Sequence, residues 1–259
     1  MQKLTLLLLS ALLSANALAQ TPEQRGLEIA TAADQADNGW HDMSAEMTMT
    51  LRNRSGDTSL RTIRNRQLEV EGDGDKALSI FDSPNDVKGT AFLSHTHVER
   101  ADDQWLYLPA LKRVKRIASN NKSGPFMGSE FAYEDITSQE LAKYEYKWLR
   151  DTQYEGRDSH VIERIPTYKH SGYTKQVAWI DKTMLQPLKI DFYDRKGALL
   201  KTLTTHEHQQ YLDKYWRPSR MEMINHISGK STTLGWRDYQ FGNGFSDRDF
   251  DKNTLKRIR

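Results

Sequence analysis

Two histidine pairs, His206-Glu207-His208 and His95-Thr96-His97, and one adjacent acidic pair, Glu134-Asp135, are the residues of this sequence best suited to chemistry. Side chains on a strand repeat a face every two residues, so each His pair would present two imidazoles to one side, as zinc or copper binding requires. His206 and His208 are therefore weak metal candidates. A working site needs a third ligand, which the spacing does not single out, and polar residues near a strand end are the favoured reading. General acid/base work needs two carboxylates held at a defined separation across a substrate, which Glu134 and Asp135, as sequence neighbours, do not supply. Capping a following helix, or fixing a loop by hydrogen bonds, suits them better. Gly229-Lys230-Ser231-Thr232 imitates the close of a phosphate-binding loop. Ile224 stands where the leading glycine belongs, and an alternating strand follows instead of a helix. No Gly-x-Ser-x-Gly elbow or His-Glu-x-x-His helix occurs. With no cysteine there is no thiol nucleophile, no Cys-ligated zinc and no disulfide framework. The expectation is a protein that is not an enzyme and needs no cofactor.

The elements that would position these residues are mostly strands. Met43, Ala45, Met47, Met49 and Leu51 alternate with Ser44, Glu46, Thr48 and Thr50, the register of a strand with one apolar and one wet face. Alternation recurs over Ser59–Val70, Ala77–Phe81, Thr90–His97, Gln104–Leu108, Tyr144–Thr152, His160–Ile165, Thr174–Asp181, Pro187–Tyr193, Leu199–His208, Trp216–His226 and Ser231–Tyr239. Turn chemistry at Ser55-Gly56-Asp57, Gly72-Asp73-Gly74-Asp75, Glu155-Gly156, Lys196-Gly197 and Ser228-Gly229 separates several of them. Hairpin-length connections imply antiparallel neighbours and a curved sheet whose inner face must be covered. One helix is predicted ahead of the strands, from Thr21-Pro22 to Asn38-Gly39, with Leu27, Ala30 and Ala33 as its apolar stripe.

From Leu111 to about Lys143 the meander is interrupted by a basic run, a Gly/Ser/Asn loop and a segment, Thr137-Ser138-Gln139-Glu140, with capping-box spacing for a short helix. An insertion of this length in a tight β chain reads as a lid or binding loop. Lys112, Arg113, Lys115 and Arg116 form the densest basic run. It suits a lipid headgroup, an anionic membrane surface or an acidic protein partner, and equally a charged edge that discourages sheet-to-sheet pairing.

Lys3, the apolar stretch Leu4–Leu13 and the small-x-small site Ala17-Leu18-Ala19 read as a secretory signal peptide cleaved after Ala19. The apolar stretch is shorter than the roughly 20 residues of a spanning helix, and no transmembrane segment is expected in the mature chain. Export argues for the periplasm and against nucleic acid as a partner. The balance of 37 Lys and Arg against 35 Asp and Glu gives no reason to expect a polyanion either. Residues 20–259 fit one large β domain, with 111–143 as its lid-like insertion.

The stretch Trp105-Leu106-Tyr107-Leu108-Pro109-Ala110-Leu111-Lys112-Arg113-Val114-Lys115-Arg116-Ile117 resembles the outer membrane lipoprotein-sorting protein family. So do the loop from Gly124 to Ile136 and the hairpin from Trp179 to Leu203. The resemblance is to the LolA-like periplasmic branch whose members accompany RND-type exporters. It implies a mainly β (α+β) fold, an incomplete, strongly curved antiparallel β-barrel with helices covering the open side. It also implies an apolar cavity that shields acyl chains of lipid or lipoprotein cargo, for sorting to the outer membrane. On that basis Met47, Met49, Trp105, Tyr107, Trp179, Ile190 and Phe192 are candidate cavity walls, although ordinary core packing would explain each one singly. Phe126, Met127 and Phe131, beside Gly124 and Gly128, are candidates for a hinged lid or partner contact. Two alternatives stay open: a non-carrier accessory subunit of an RND-type exporter, and a metal-dependent enzyme using His206 and His208.

Overall fold

A computed structural model describes residues 20–257, and the leader with its cleavage site lies outside them. Six strands, β1 (Asp42–Arg52), β2 (Thr58–Leu68), β3 (Lys76–Ser83), β4 (Ala91–His95), β5 (Asp103–Leu108) and β6 (Arg113–Arg116), precede the insertion. Seven follow it: β7 (Tyr144–Tyr154), β8 (Arg157–Pro166), β9 (Lys175–Asp181), β10 (Pro187–Tyr193), β11 (Leu199–Tyr211), β12 (Tyr215–Asn225) and β13 (Ser231–Phe241). They form a single antiparallel sheet in the order β6-β5-β4-β3-β2-β1-β13-β12-β11-β10-β9-β8-β7. Each strand pairs with its sequence neighbour except at two places. β1 closes against β13, and β6 and β7 are left as the free edges. A chain that ends one run at β6 and resumes at β7 must cross the open side of an unclosed barrel, so the long insertion follows from the topology.

The alternation on β1 works as its register predicts. Met43, Ala45, Met47 and Met49 are buried, with Met47 opposite Ile63 of β2 and Met49 opposite Leu234 of β13. Burying side chains of this size stabilises the fold by roughly 1.5–3 kcal/mol each. β6 is the strand that alternation does not announce. It is the basic run itself, an edge strand charged on both faces, and charge is a common device for keeping an edge from pairing with another sheet.

The insertion does not form the predicted helix at Thr137. The side chains that would have capped it are engaged elsewhere. Thr96 donates to Glu140, Thr137 and Gln139 both donate to the Glu134 carbonyl, and only a single tight turn, Leu141–Lys143, remains helical. Instead the loop folds back on itself and packs inward. Phe126 N–H bonds to Phe131 O at 2.7 Å and Tyr133 N–H to Gly124 O at 3.1 Å, making a small hairpin that fills the concave side of the sheet. Its Phe126 ring lies 5.1 Å from Phe92 and 6.0 Å from Phe81, fully buried. Arg61 of β2 donates to the Met127 carbonyl at the tip. The insertion is a plug.

The one α-helix among the described residues, α1 (Pro22–Ala36), starts at a reciprocal cap: Thr21 Oγ1 accepts from Gln24 N–H, and Gln24 accepts from Thr21 N–H. It lies across the β7 edge. Gly26 and Ile29 are its buried residues. On the convex face, Phe250 and Leu255 of the C-terminal segment pack over Leu78, Ile80, Ala91 and Leu93. Strands β3 and β4 are thus covered on both sides, which accounts for their continuous stretches of buried residues.

Candidate functional site

Between α1 and the concave faces of β8 to β12 lies a cavity of about 1280 Å³. One wall is the helix stripe Leu27, Ala30 and Ala33; the other is Ile162, Ile180, Ile190, Phe192, Leu203 and Met221. The stripe expected to pack α1 onto the sheet borders the cavity, with Leu27 48% exposed and Ala30 packed against the main core. What seats the helix is Gly26, where a Cβ would lie 2.6 Å from the backbone nitrogen of Trp148. Arg25 adds a bond of 3.1 Å to Asp151 and places its guanidinium 4.0 Å from the Trp148 ring centroid. At the other end, Asp37 pairs with Arg217 at 2.5 Å.

The floor is set by the plug, which a buried polar network fixes to the sheet. Asp102 accepts from Lys122 at 2.5 Å and from Lys143. Asp135 accepts from Lys201 at 2.7 Å and from the Tyr173 hydroxyl at 2.8 Å. Glu134 accepts from Tyr168, Ser171 and the Gly172 N–H, and burial raises its carboxyl above the usual range despite those bonds. The acidic pair therefore fixes the loop by hydrogen bonds. Buried charges of this kind need a partner each, and removing one partner strands the other in a low-dielectric interior.

The mouth is polar. Asp34, Asp37, Glu69, Glu71, Asp73, Asp75 and Glu140 line it. Most are engaged. Asp73 accepts from His97 at 2.6 Å, which holds its carboxyl down to about 2. Asp75 accepts from Ser138 and Val70 N–H, and burial pushes it up to about 7. Burial likewise raises Glu140 and Asp37.

Of the candidate wall residues, Ile190 and Phe192 border the cavity. Met47 and Met49 share the same apolar core but pack around the plug with Phe126 and Phe131. Trp105 and Tyr107 lie on the convex face beneath the C-terminal segment, because β5 turns Gln104 and Leu106 inward. Trp179 also points away from the cavity, since Ile180 and Ala178 take the inner face of β9; Lys189 Nζ sits 4.2 Å from its ring centroid. Lys112, Arg113, Lys115 and Arg116 form the β5–β6 hairpin at the sheet edge, where Arg116 pairs with Asp103. Alternation on β8, β9 and β11 could have named Ile162, Ile180 and Leu203, as it named Ile190 and Phe192.

The histidines have other partners. His206 meets the Thr204 hydroxyl at 2.9 Å and His208 that of Thr205 at 3.2 Å, with Glu207 between them at a φ of 57° that breaks the regular strand register. Burial lowers the His208 pKa. His95 meets the Phe250 carbonyl and His97 meets Asp73. Among the described residues no three His, Cys, Asp or Glu side chains are grouped to hold a metal ion.

No helix among the described residues is long and apolar enough to cross a membrane. No curated protein matches the sequence. The family model that matches, described as "Uncharacterized protein", spans residues 73–257. Among solved structures, an outer membrane lipoprotein-sorting protein domain from Vibrio parahaemolyticus is 59% identical, with 90% of this chain and 99% of that one covered at a TM-score of 0.89. A DUF1329 family protein from Desulfovibrio piger is 30% identical over 91% of this chain and 99% of that one, TM-score 0.86. A LolA superfamily protein from Nitrosomonas europaea, 20% identical over 88% of this chain and 98% of that one at a TM-score of 0.71, shares the fold. With 59% identity carried over 90% of the chain and the fold in common at a TM-score of 0.89, this chain belongs to the outer membrane lipoprotein-sorting protein family.

Proposed function

We propose that the protein is a periplasmic carrier, not an enzyme, that takes acyl chains of lipid or lipoprotein cargo between α1 and the concave sheet. The observation that carries this reading is the pair of apolar surfaces, one on the helix and one on the sheet, that line opposite sides of a cavity of about 1280 Å³. That volume lies just above the range of roughly 300–1,000 Å³ in which small-molecule pockets fall, so it has room for a long chain. Each methylene taken out of water there contributes ~0.8 kcal/mol, which supports tight holding of an acyl tail without any chemistry on it. Membership in a lipoprotein-sorting family supports the same class of cargo and the same compartment. The β5–β6 hairpin is the proposed contact with an acceptor or an inner-membrane RND-type exporter, because Leu111 is 68% exposed beside Lys112, Arg113 and Lys115.

Native mass spectrometry of protein purified from its own periplasm tests the reading. Acyl lipid is expected to leave the wild type on denaturation. Leu27→Asp, which places a charge on the exposed helix wall, is expected to remain folded and to lose most of that lipid. Wild-type protein that carries no lipid and also fails to bind the neutral probe N-phenylnaphthylamine would exclude a carrier role.

A further inference from the structure

One cation in the cavity has no anion. Arg164 projects from the concave face of β8, between Tyr146 of β7 and Gln176 of β9, and both it and Gln176 line the cavity. Its Nη2 donates to Gln176 Oε1 at 2.6 Å, and the guanidinium stands 5.6 Å from the Tyr144 ring centroid. Its Nε is buried without a hydrogen-bond partner, and no carboxylate of the described residues lies within ion-pairing distance of it. Three of the carboxylates around the cavity are ion-paired: Asp135 with Lys201, Asp37 with Arg217, and Asp73 with His97. Glu69 accepts instead from the Gly39 and His41 N–H groups, and Glu71 is exposed to water. Asp34 is exposed to water on α1.

A guanidinium stays charged at any pH the fold survives, and its planar fork matches the two oxygens of a carboxylate or phosphate. Holding it part-buried with an orphan donor is costly unless something completes it. The residue two positions earlier on the same face is Ile162, and the neighbouring strands carry the same apolar level on through Ile190 and Leu203. A charged socket therefore adjoins an aliphatic track.

From this geometry we infer that Arg164, positioned by Gln176, binds the anionic headgroup of an acyl ligand whose chain runs along Ile162, Ile190 and Leu203. The inference rests on the carrier reading and narrows its cargo to acyl chains ending in an oxyanion, the carboxylate of a fatty acid or the phosphate of a phospholipid. Lys201, on the same level, is not a second socket because Asp135 neutralises it.

The test is displacement of N-phenylnaphthylamine from the wild-type protein by oleate, oleyl phosphate, oleyl alcohol and oleylamine. Oleate or oleyl phosphate should displace it at a concentration about 10- to 100-fold below that of oleyl alcohol, the range expected of a hydrogen bond to a charged group. Whichever of the two is stronger identifies the headgroup source. In Arg164→Met the advantage over the alcohol should fall to about onefold while the neutral probe still binds. The wild-type comparison needs no variant, so a misfolded Arg164→Met would not remove the test. Equal displacement by oleate and oleyl alcohol in the wild type would overturn the inference and leave the carrier reading standing. Failure of the probe and of every competitor to bind would overturn both.

Discussion

Asp75 is the residue at which the cavity mouth and the stability of the fold meet. Its carboxylate accepts from Val70 N–H at 3.3 Å and from Ser138 at 3.1 Å, which ties the β2–β3 turn to the plug. Burial is the main cause that lifts it from an ordinary 3.8 to about 7, with Glu140 and Glu69 adding repulsion. Between those two values the folded protein keeps a proton that the unfolded chain has released. This group's contribution therefore favours folding at low pH and is lost as pH rises through that window. Asp75→Asn removes the titration. Its melting temperature relative to wild type should climb from pH 5 to pH 8 by a few degrees, on the order of 1 kcal/mol for a chain of this size. Thermal melts of both proteins across that range would show it, and a gap that does not vary with pH would refute the assignment. The sequence reads Gly72-Asp73-Gly74-Asp75 only as a turn. The partner that gives Asp75 its role stands 63 residues away, beyond any local pattern.

At the level of elements, α1 separates what a hydrophobic pattern records from what it misses. The start of the helix was legible, because Thr21 and Pro22 carry cap chemistry in their types and spacing; its end falls at Ala36 with Asp37 as the cap, short of the Asn38-Gly39 stop that the sequence suggests. Its packing face was not legible. The stripe Leu27, Ala30 and Ala33 is the visible one, yet contact with β7 depends on Gly26, whose contribution is the absence of a side chain. Gly26→Ala would set a Cβ 2.6 Å from Trp148 N and 2.7 Å from Lys147 Cα, backbone atoms that have no rotamer to change. The helix must then lift from β7, at roughly the 1–3 kcal/mol typical of overpacking. Because the helix is also one cavity wall, probe affinity should fall together with the urea midpoint. An unaltered midpoint would show that α1 is held mainly by the ion pairs at its two ends. β6 was missed for a related reason, since a strand charged on both faces has no alternation to detect.

In the whole molecule the two faces of the sheet carry different duties, and strand periodicity shows that faces alternate without showing which one is concave. Fold class and the curved, unclosed sheet could be read from the recurring alternation and the family resemblance, and of the proposed wall residues Ile190 and Phe192 border the cavity. Trp105, Tyr107 and Trp179 obey the same alternation but face outward. The sequence also gave no sign that the chain's own C-terminal segment would return to seal the convex side. That seal makes a separable prediction. Phe250 is fully buried against Leu78, Ile80 and Leu93, and truncating a buried phenylalanine costs about 3–5 kcal/mol. Phe250→Ala should therefore lower the urea midpoint substantially and expose apolar surface on β3 to β5. Lipid and probe affinity, measured well below that midpoint, should stay at wild-type values, because the cavity lies across the sheet from Phe250 and shares no lining residue with it. A parallel loss of binding would mean that the convex seal sets the curvature of the concave wall, and that the sheet transmits packing from one face to the other.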